Sequence, residues 1–281
     1  MGMRFKDKVV FITGASAGIG RATAVAMAEE GAHLALAARR KDRLETLKAE
    51  LEAGGARVLP LACDVTQRDA LDAAVAATVE AFGRIDVVIA NAGFGVSGAA
   101  TKLDTPDYRR QFETNVFGAL DTLYATLPHL ETSKGNICFL GSVMGRMGLP
   151  ASAPYNASKF AICGLAESLY YDLREKGIAV SVINPGWVAS EFRSVNNQGV
   201  RATEQHKEPI PQWLVYPTEK AARDIVQCIY KRRFEAVITG HGKLALFIAR
   251  HFPRSTRWFI ARAVRGKLDK VERAKRGDLA Q

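Results

Sequence analysis

The sequence predicts one doubly wound α/β domain, in which a parallel sheet is covered by helices on both faces. The first observation is that short apolar runs, rich in Val, Ile and Leu, alternate with longer segments of helical period. The second is that these runs are apolar almost throughout, as expected for strands buried on both faces. The third is length, because 281 residues with 48% hydrophobic content can build one large core.

Seven parallel strands are predicted, with helices between them. The runs are Val9–Thr13, Leu34–Ala38, Val58–Ala62, Ile85–Ala90, Asn136–Leu140, Val180–Asn184 and Ala236–Thr239. A compositional break near Gly240–Gly242 is followed by a basic, aromatic-containing stretch. We therefore predict a main domain over residues 1–240 and an amphipathic C-terminal extension over residues 241–281, which packs on that domain or projects from it.

The cysteines and the chain start indicate a cytoplasmic protein without a metal site. The four cysteines are far apart and include no CxxC pair, which argues against a zinc site or a disulfide framework. They are Cys63, Cys138, Cys163 and Cys228. The first residues do not have the form of a signal peptide, and no apolar run approaches the roughly 20 residues needed to span a bilayer.

Charge is distributed very unevenly along the chain. Residues 231–281 contain 14 basic and 4 acidic residues, which accounts for the whole formal net charge of +10. The rest of the chain is balanced. The basic segment is therefore expected to be either a solvated face or a binding surface.

A glycine-rich turn follows the first strand. Gly14, Gly18 and Gly20 form a GxxxGxG pattern, and a segment of helical character begins directly after it. Glycines allow a tight turn and close approach of a pyrophosphate, whose charge is met by free N–H groups at the helix start. This strand, turn and helix predict a Rossmann-type dinucleotide site.

From this loop onwards the chain resembles the short-chain dehydrogenase/reductase family. Thr13 and the three glycines match the family's TGxxxGxG motif, and further landmarks recur over about residues 5 to 240. The landmarks are Asp64-Val65, Asn91-Ala92-Gly93, Asn115, Ser142, Tyr155, Lys159, Pro185-Gly186 and Ser190, which stands where the family usually has Thr. The resemblance implies cofactor contacts at Gly14, Ser16, Gly18, Ile19, Gly20, Arg39, Arg40, Asp64, Val65, Asn91, Ala92, Gly93, Tyr155, Lys159, Pro185, Gly186, Val188 and Ser190.

The catalytic expectation centres on Tyr155. An unperturbed tyrosine, with a pKa of about 10, exchanges protons poorly at neutral pH, so it needs a neighbouring cation. Lys159 stands four residues later, on the same face of a predicted helix. The resemblance implies that Ser142 binds the substrate oxygen, that Lys159 also binds the nicotinamide ribose, and that Asn115 helps to position a water-based proton relay.

A second YxxxK pattern, Tyr216 and Lys220, serves as an internal control. Pro217 follows Tyr216 and disfavours a helical conformation there, so Tyr216 is expected to be structural.

The end of the second predicted strand favours NADP(H) over NAD(H). An acidic residue at this position binds the ribose hydroxyls of NAD, whereas an arginine accommodates the extra phosphate of NADP. The strand ends in Arg39-Arg40, and Asp42 is assigned to the next helix. Ala17 weakens the preference, because many NADP-dependent relatives have a basic residue in the glycine loop.

The substrate side and the extension leave alternatives open. Trp187, Phe192 and Trp213 predict either an apolar substrate pocket or core packing. The extension interleaves arginines with large apolar residues such as Trp258 and Phe259, which predicts either an anionic membrane surface or packing on the sheet or a dimer partner. Nucleic-acid binding is not expected, because no recognition motif is present.

The sequence therefore predicts an NADP(H)-dependent oxidoreductase that interconverts a carbonyl and an alcohol on a hydrophobic, steroid-like or lipid-like substrate. It is expected to be a homo-oligomer, a dimer or a tetramer, in the cytoplasm, with peripheral attachment to a membrane as one of the two roles left open for the extension. Two alternatives are a small-molecule carbonyl reductase without a membrane role and a cofactor-binding regulatory protein.

Overall fold

The computed structural model describes residues 3–189, 212–263 and 265. These residues contain a seven-stranded sheet in the order β3-β2-β1-β4-β5-β6-β7, and all neighbouring strands are parallel. The strands are β1 (Val9–Thr13), β2 (His33–Ala38), β3 (Val58–Ala62), β4 (Val87–Ala90), β5 (Asn136–Leu140), β6 (Ala179–Asn184) and β7 (Glu235–Val237). The predicted doubly wound fold is confirmed, with its topological switch point between β1 and β4.

Helices cover both faces of the sheet. They are α1 (Gly18–Glu29), α2 (Lys41–Ala53), α3 (Arg68–Phe82), α4 (Thr105–Phe112), a π-helical turn (Glu113–Phe117), α5 (Gly118–Ser133), α6 (Ala153–Arg174), α7 (Thr218–Tyr230) and α8 (Gly240–His251). Residues 253–263 form a further helical segment. Among the described residues, no helix has both the length and the apolar character that crossing a bilayer requires.

Two hydrophobic cores lie on opposite faces of the sheet, because successive side chains of a strand point to opposite sides. Val10 and Ile12 of β1 belong to one core, together with residues of α1, α2 and α7. Phe11 belongs to the other core, together with residues of α3, α5 and α6. All five residues of β1 are buried, which explains why this strand is apolar along its whole length.

Strand ends differ from the sequence prediction by one or two residues. β4 begins at Val87 rather than at Ile85, because the Asp86 carboxylate accepts the N–H of Val9 at 3.0 Å and binds Arg84. β2 and β6 each begin one residue earlier than predicted.

The last strand is also displaced. β7 is Glu235–Val237 rather than Ala236–Thr239, since the Thr239 hydroxyl accepts a hydrogen bond from the N–H of Gly186.

Candidate active site

The glycine loop provides an anion cradle at the switch point. Gly14 and Gly18 have φ values of 67° and 55°, which residues with a side chain rarely adopt. A Cβ atom on Gly20 would lie 2.4 Å from Asn91 Nδ2 and 2.5 Å from the Gly14 carbonyl. Ala17 precedes α1 and supplies no side-chain cap, so the first N–H groups of the helix remain available to a ligand. This geometry fits the pyrophosphate of a nicotinamide dinucleotide.

Asn91, at the end of β4, holds the loop in position. Its Nδ2 donates to the carbonyls of Thr13 at 2.9 Å and Gly14 at 3.1 Å. The Thr13 hydroxyl in turn accepts the N–H groups of Asn91 and Ala92. The TGxxxGxG threonine and the Asn91-Ala92-Gly93 segment therefore lock β1 to β4 beneath the cradle.

Two arginines follow β2, and they face different partners. Arg40 donates from Nε and Nη2 to Ser16 Oγ at 3.3 and 3.0 Å, which ties the end of β2 to the glycine loop. Arg39 lies 3.9 Å from Asp64, and its side chain is 67% exposed. The Asp64 carboxylate also accepts from the backbone and the hydroxyl of Thr66. Both arginines thus border the region where the adenosine half of the cofactor is expected.

The remaining predicted cofactor residues lie at the same edge of the sheet. Ile19 lies in the first turn of α1, Val65 follows β3, Gly93 follows β4, and Pro185, Gly186 and Val188 follow β6. Ser190 and Phe192 lie outside the described residues.

Ser142 follows β5 and caps the short helical turn Val143–Gly145. Its N–H donates to Asn184 Oδ1 at 3.0 Å, and its Oγ accepts the N–H of Met144 at 3.1 Å. Because the hydroxyl oxygen acts as acceptor in this bond, the hydroxyl proton can be donated to a substrate oxygen.

Tyr155 and Lys159 lie one turn apart on α6. The Lys159 Nζ is 5.7 Å from the centre of the Tyr155 ring and donates to the Leu140 carbonyl at 2.6 Å. Lys159 is only 6% exposed, and this burial lowers its pKa from 10.5 to about 8. With a pKa of about 8, Lys159 is still mainly protonated at neutral pH, so it places a positive charge next to Tyr155.

Asn115 lies in the π-helical turn and is 2% exposed. Its Oδ1 accepts the Phe94 N–H at 3.1 Å, while its Nδ2 donates to the Phe94 carbonyl and to Ser158 Oγ. The Ser158 hydroxyl donates to the Tyr155 carbonyl at 2.8 Å. Asn115 is therefore linked to the Tyr155 turn of α6 through one serine. Short π-helical turns of this kind occur frequently at functional sites.

Three residues that the sequence analysis missed pack against the segments that follow β5 and β6. Thr239 accepts the Gly186 N–H at 3.1 Å, and His241 Nε2 accepts the Trp187 N–H at 2.9 Å. The His241 ring also stacks on Trp187, with centroids 5.4 Å apart. A Cβ atom on Gly242 would lie 2.8 Å from Val143 Cγ2, so the first turn of α8 reaches the residue after Ser142.

His241 is constrained to be neutral. Burial lowers its pKa, and its Nε2 must be unprotonated to accept the Trp187 N–H. No local sequence signal could have identified this residue, because its partner lies 54 positions earlier in the chain.

Tyr216 has a structural environment. It precedes α7, forms an isolated bridge with Val188, and donates its hydroxyl to Asp224 at 2.7 Å. Burial, together with the hydrogen bond to Asp224, raises its pKa to about 12. The Lys220 Nζ lies 5.1 Å from the centre of the Tyr216 ring, but Lys220 is exposed, whereas Lys159 is buried. The higher pKa and the bond to Asp224 make this phenol a poorer proton donor, so the second YxxxK pattern differs from the first in burial and hydrogen bonding.

The comparisons with known proteins agree with this geometry. A sequence profile described as short chain dehydrogenase matches residues 8–201. An uncharacterized oxidoreductase of Myxococcus xanthus is 39% identical over 191 residues, covering 68% of this chain and 76% of the relative. A 3beta-hydroxysteroid dehydrogenase of Mediterraneibacter gnavus is 31% identical, covering 75% of this chain and 78% of the relative.

One similar protein is much longer. Glycine betaine reductase ATRR of Emericella nidulans is 35% identical over 225 residues, which cover 79% of this chain but 17% of that protein.

Solved structures show the same fold with both kinds of nicotinamide. A short chain dehydrogenase/reductase of Burkholderia phymatum, in complex with NAD, has a TM-score of 0.79 and 26% identity, covering 88% of this chain and 94% of the other. An alcohol dehydrogenase of Thermococcus sibiricus, complexed with 5-hydroxy-NADP, has a TM-score of 0.71 and 28% identity, covering 82% and 95%. A nicotinamide cofactor and oxidoreductase activity on alcohol or carbonyl groups follow, and the chain belongs to the short-chain dehydrogenase/reductase family.

Proposed function

We propose that the protein is an NADP(H)-dependent oxidoreductase that interconverts a carbonyl and an alcohol on a hydrophobic substrate, with Tyr155 as general acid and base. The observation that carries the proposal is the pairing of Tyr155 with the buried Lys159 at the edge of the sheet where Ser142 emerges. A cation in a water-poor site stabilises the tyrosinate form, and this makes proton transfer near neutral pH feasible.

In the reductive direction, Ser142 and Tyr155 hydrogen-bond the carbonyl oxygen and polarise the C=O bond. A nicotinamide held by the glycine loop and the residues after β2 would, when bound, supply the hydride that the carbonyl carbon accepts. Tyr155 donates its hydroxyl proton to the oxygen, so that the carbonyl becomes an alcohol and the tyrosine becomes a tyrosinate. Lys159 stabilises this anion, and Asn115 supports the turn of α6 from which the tyrosine projects. Oxidation of the alcohol reverses these transfers.

The proposed preference for NADP(H) rests on the charges after β2. Arg39 and Arg40 place two guanidinium groups at this strand end, and α2 has its acidic first-turn residue, Asp42, only later. A 2′-phosphate would receive charge-assisted hydrogen bonds there, which are roughly twice as strong as neutral ones. The Ser16 hydroxyl, which already contacts Arg40, adds a polar group from the glycine loop.

The proposed hydrophobic substrate rests on the residues next to Ser142 and Pro185. Met144, Met147 and Leu149 are half-buried in the segment that follows Ser142, and Trp187 contributes a half-buried ring from the loop after β6. A largely apolar site with a few polar groups is typical of small-molecule pockets. The similarity to a 3beta-hydroxysteroid dehydrogenase is consistent with a steroid-like or lipid-like skeleton.

The proposal also covers assembly and location. Three large aromatic side chains are exposed on the helices: Phe117 of the π-helical turn (49% exposed), Tyr124 of α5 (51%) and Phe160 of α6 (46%). Exposed apolar residues of this size support a homo-oligomer. Sedimentation equilibrium would test this assembly. Free, buried cysteines are compatible with the cytoplasm, where thiols stay reduced. A peripheral attachment to a membrane would involve the extension.

The direct test is consumption of NADPH and NADH over a carbonyl panel of steroids, fatty ketones, sugars and small aldehydes. We expect turnover with apolar ketones, a higher kcat/KM with NADPH than with NADH, and no turnover by Tyr155→Phe. Cofactor binding without turnover on any member of the panel would favour a regulatory role instead. A preference for small polar aldehydes would favour the small-molecule reductase.

A further inference from the structure

Six large apolar side chains are exposed on α8 and on the helical segment after it. We call them the C-terminal apolar face: Leu244 (61% exposed), Phe247 (55%), Ile248 (42%), Phe252 (57%), Trp258 (57%) and Phe259 (64%). Large contiguous apolar areas are uncommon on the surface of a monomer and mark a site of interaction. The sequence left open whether these residues cap the sheet. The structure instead leaves their side chains in solvent.

The two helical segments form one bent amphipathic element. Leu244, Phe247 and Ile248 are spaced so that they share one face of α8, while the small residues Ala245 and Ala249 are half-buried on another face. The second segment begins at Pro253, and the Thr256 hydroxyl donates to the Phe252 carbonyl at 2.9 Å across the bend. The two helical segments are therefore joined by a hydrogen bond at the bend, and both carry exposed apolar side chains.

The stretch of sequence that contains this face is basic and has no acidic residue. Residues 240–268 contain no Asp or Glu, but they contain Lys243, Arg250, Arg254, Arg257, Arg262, Arg265 and Lys267. The Arg262 guanidinium lies 5.7 Å from the centre of the Trp258 ring. An aromatic side chain with an arginine beside it suits the boundary between acyl chains and phosphate headgroups, where the ring is buried and the charge meets an anion.

The positive charge around the C-terminal apolar face distinguishes between two candidate partners for it, a second copy of this chain and a lipid surface. A second copy that packed its own C-terminal face on this one, by two-fold symmetry, would bring two wholly basic surfaces together. An anionic lipid surface is instead complementary to the arginines and accepts the apolar side chains.

The element starts at the active site. Its first turn contains His241, which binds the loop after β6, and Gly242, which packs on Val143. Leu244 follows Gly242 by two residues. The apolar face therefore begins about one helical turn from the substrate side of the site.

We propose that the C-terminal apolar face, with its flanking arginines, docks the protein on an anionic lipid bilayer and presents the active-site mouth to lipophilic substrates dissolved there. The docking itself is independent of the reaction. The delivery of substrate rests on the proposed function.

The test is cosedimentation of the full chain with vesicles of phosphatidylcholine alone or of phosphatidylcholine mixed with phosphatidylserine. We expect binding to the anionic vesicles only, weakened by salt. A basic residue at such a surface contributes about fivefold in partitioning, so Arg257→Glu with Arg262→Glu is expected to lower binding by at least about 25-fold. Trp258→Ser with Phe259→Ser is expected to lower it while preserving its salt dependence.

Matched controls are Tyr171→Ser, which removes a 65% exposed aromatic from α6, and Arg223→Glu, which reverses an exposed charge on α7. Both are expected to bind like the wild type. The proposal is overturned if the wild type stays in the supernatant with both vesicle types, or if the controls lose binding equally. It is also overturned if the C-terminal variants lose a dimer or several degrees of melting temperature, or if the chain binds duplex DNA and ignores vesicles.

Turnover separates this proposal from the proposed function. With a soluble ketone, the Trp258→Ser, Phe259→Ser variant should keep wild-type kcat/KM, whereas with a ketone embedded in anionic vesicles its rate should fall. Vesicle binding by a protein that reduces no carbonyl would refute the proposed function and leave the docking intact. Normal turnover without vesicle binding would do the reverse.

Discussion

Replacing Lys159 by methionine should remove activity and stabilise the cofactor-free protein. The lysine is 6% exposed, and burial lowers its pKa from 10.5 to about 8. This difference corresponds to about 3 kcal/mol of folding free energy lost at neutral pH, since each pKa unit is worth about 1.36 kcal/mol. Loss of the hydrogen bond to the Leu140 carbonyl offsets about 1 kcal/mol, which leaves a net gain of about 2 kcal/mol.

The sign of this effect fixes its pH dependence. The unfolded chain keeps the lysine proton up to about pH 10.5, whereas the folded protein releases it near pH 8. The cost of the buried charge is therefore fully present below pH 8 and disappears as the pH rises toward 10.5. Wild-type stability should rise over this interval relative to that of Lys159→Met.

Thermal unfolding without cofactor, followed by circular dichroism, measures the effect. A gain of about 2 kcal/mol predicts a Tm roughly 4–8 °C above that of the wild type at pH 7, with a gap that narrows toward pH 10. Lys6→Met is the matched control, because Lys6 is exposed and its replacement should leave Tm unchanged. A variant that melts at or below the wild-type temperature at pH 7, or a gap that is independent of pH, would refute the reasoning.

Three further substitutions test the site. Tyr155→Phe should lower kcat at least about 100-fold and leave NADPH affinity within a few fold, because only the proton donor is removed; near-normal turnover would exclude Tyr155 from this role. Arg39→Asp should shift the ratio of kcat/KM for NADPH and NADH by about 10- to 100-fold toward NADH, and an unchanged ratio would place the phosphate elsewhere. His241→Leu removes the acceptor of the Trp187 N–H and should lower kcat/KM at pH 7. Burial lowers the pKa of His241 in the folded protein, whereas in the unfolded chain the histidine has its ordinary pKa of about 6.5. As the pH falls below about 6.5, His241 is therefore protonated in the unfolded chain before it is protonated in the folded protein. The wild type should thus lose stability in acid relative to the leucine variant, and identical pH profiles of Tm would contradict this.

Several candidate site residues could be predicted from the strand pattern because they lie just after a strand. In a parallel sheet, the carboxyl ends of all strands meet at one edge, so motifs that are far apart in the sequence converge there. Gly14, Asn91 and Ser142 follow β1, β4 and β5 in this way. The spacing of Tyr155 and Lys159 needed only the period of one helix.

Contacts between distant segments could not be predicted. Arg40 and Arg39 look equivalent in the sequence, yet one binds Ser16 and the other faces Asp64. Which arginine contacts which partner depends on the position of the end of β2 relative to the glycine loop, and no local sequence pattern predicts that position. The contact of His241 with Trp187 could not be predicted for the same reason, because it depends on where α8 begins relative to the loop after β6.

The first turn of α8 also changes how the boundary at residue 240 should be interpreted. Charge and composition place a boundary between the main domain and the extension after residue 240, and this boundary remains a prediction. The contacts divide the chain differently: the Gly186 N–H is held by Thr239, and the Trp187 N–H is held by His241. A Cβ atom on Gly186 would lie 2.3 Å from His241 Nε2, so the β6 loop and the start of α8 fit together without spare space. A force that tilts α8, such as its proposed docking on a bilayer, would therefore act directly on the loop after β6, where the sequence predicts cofactor contacts.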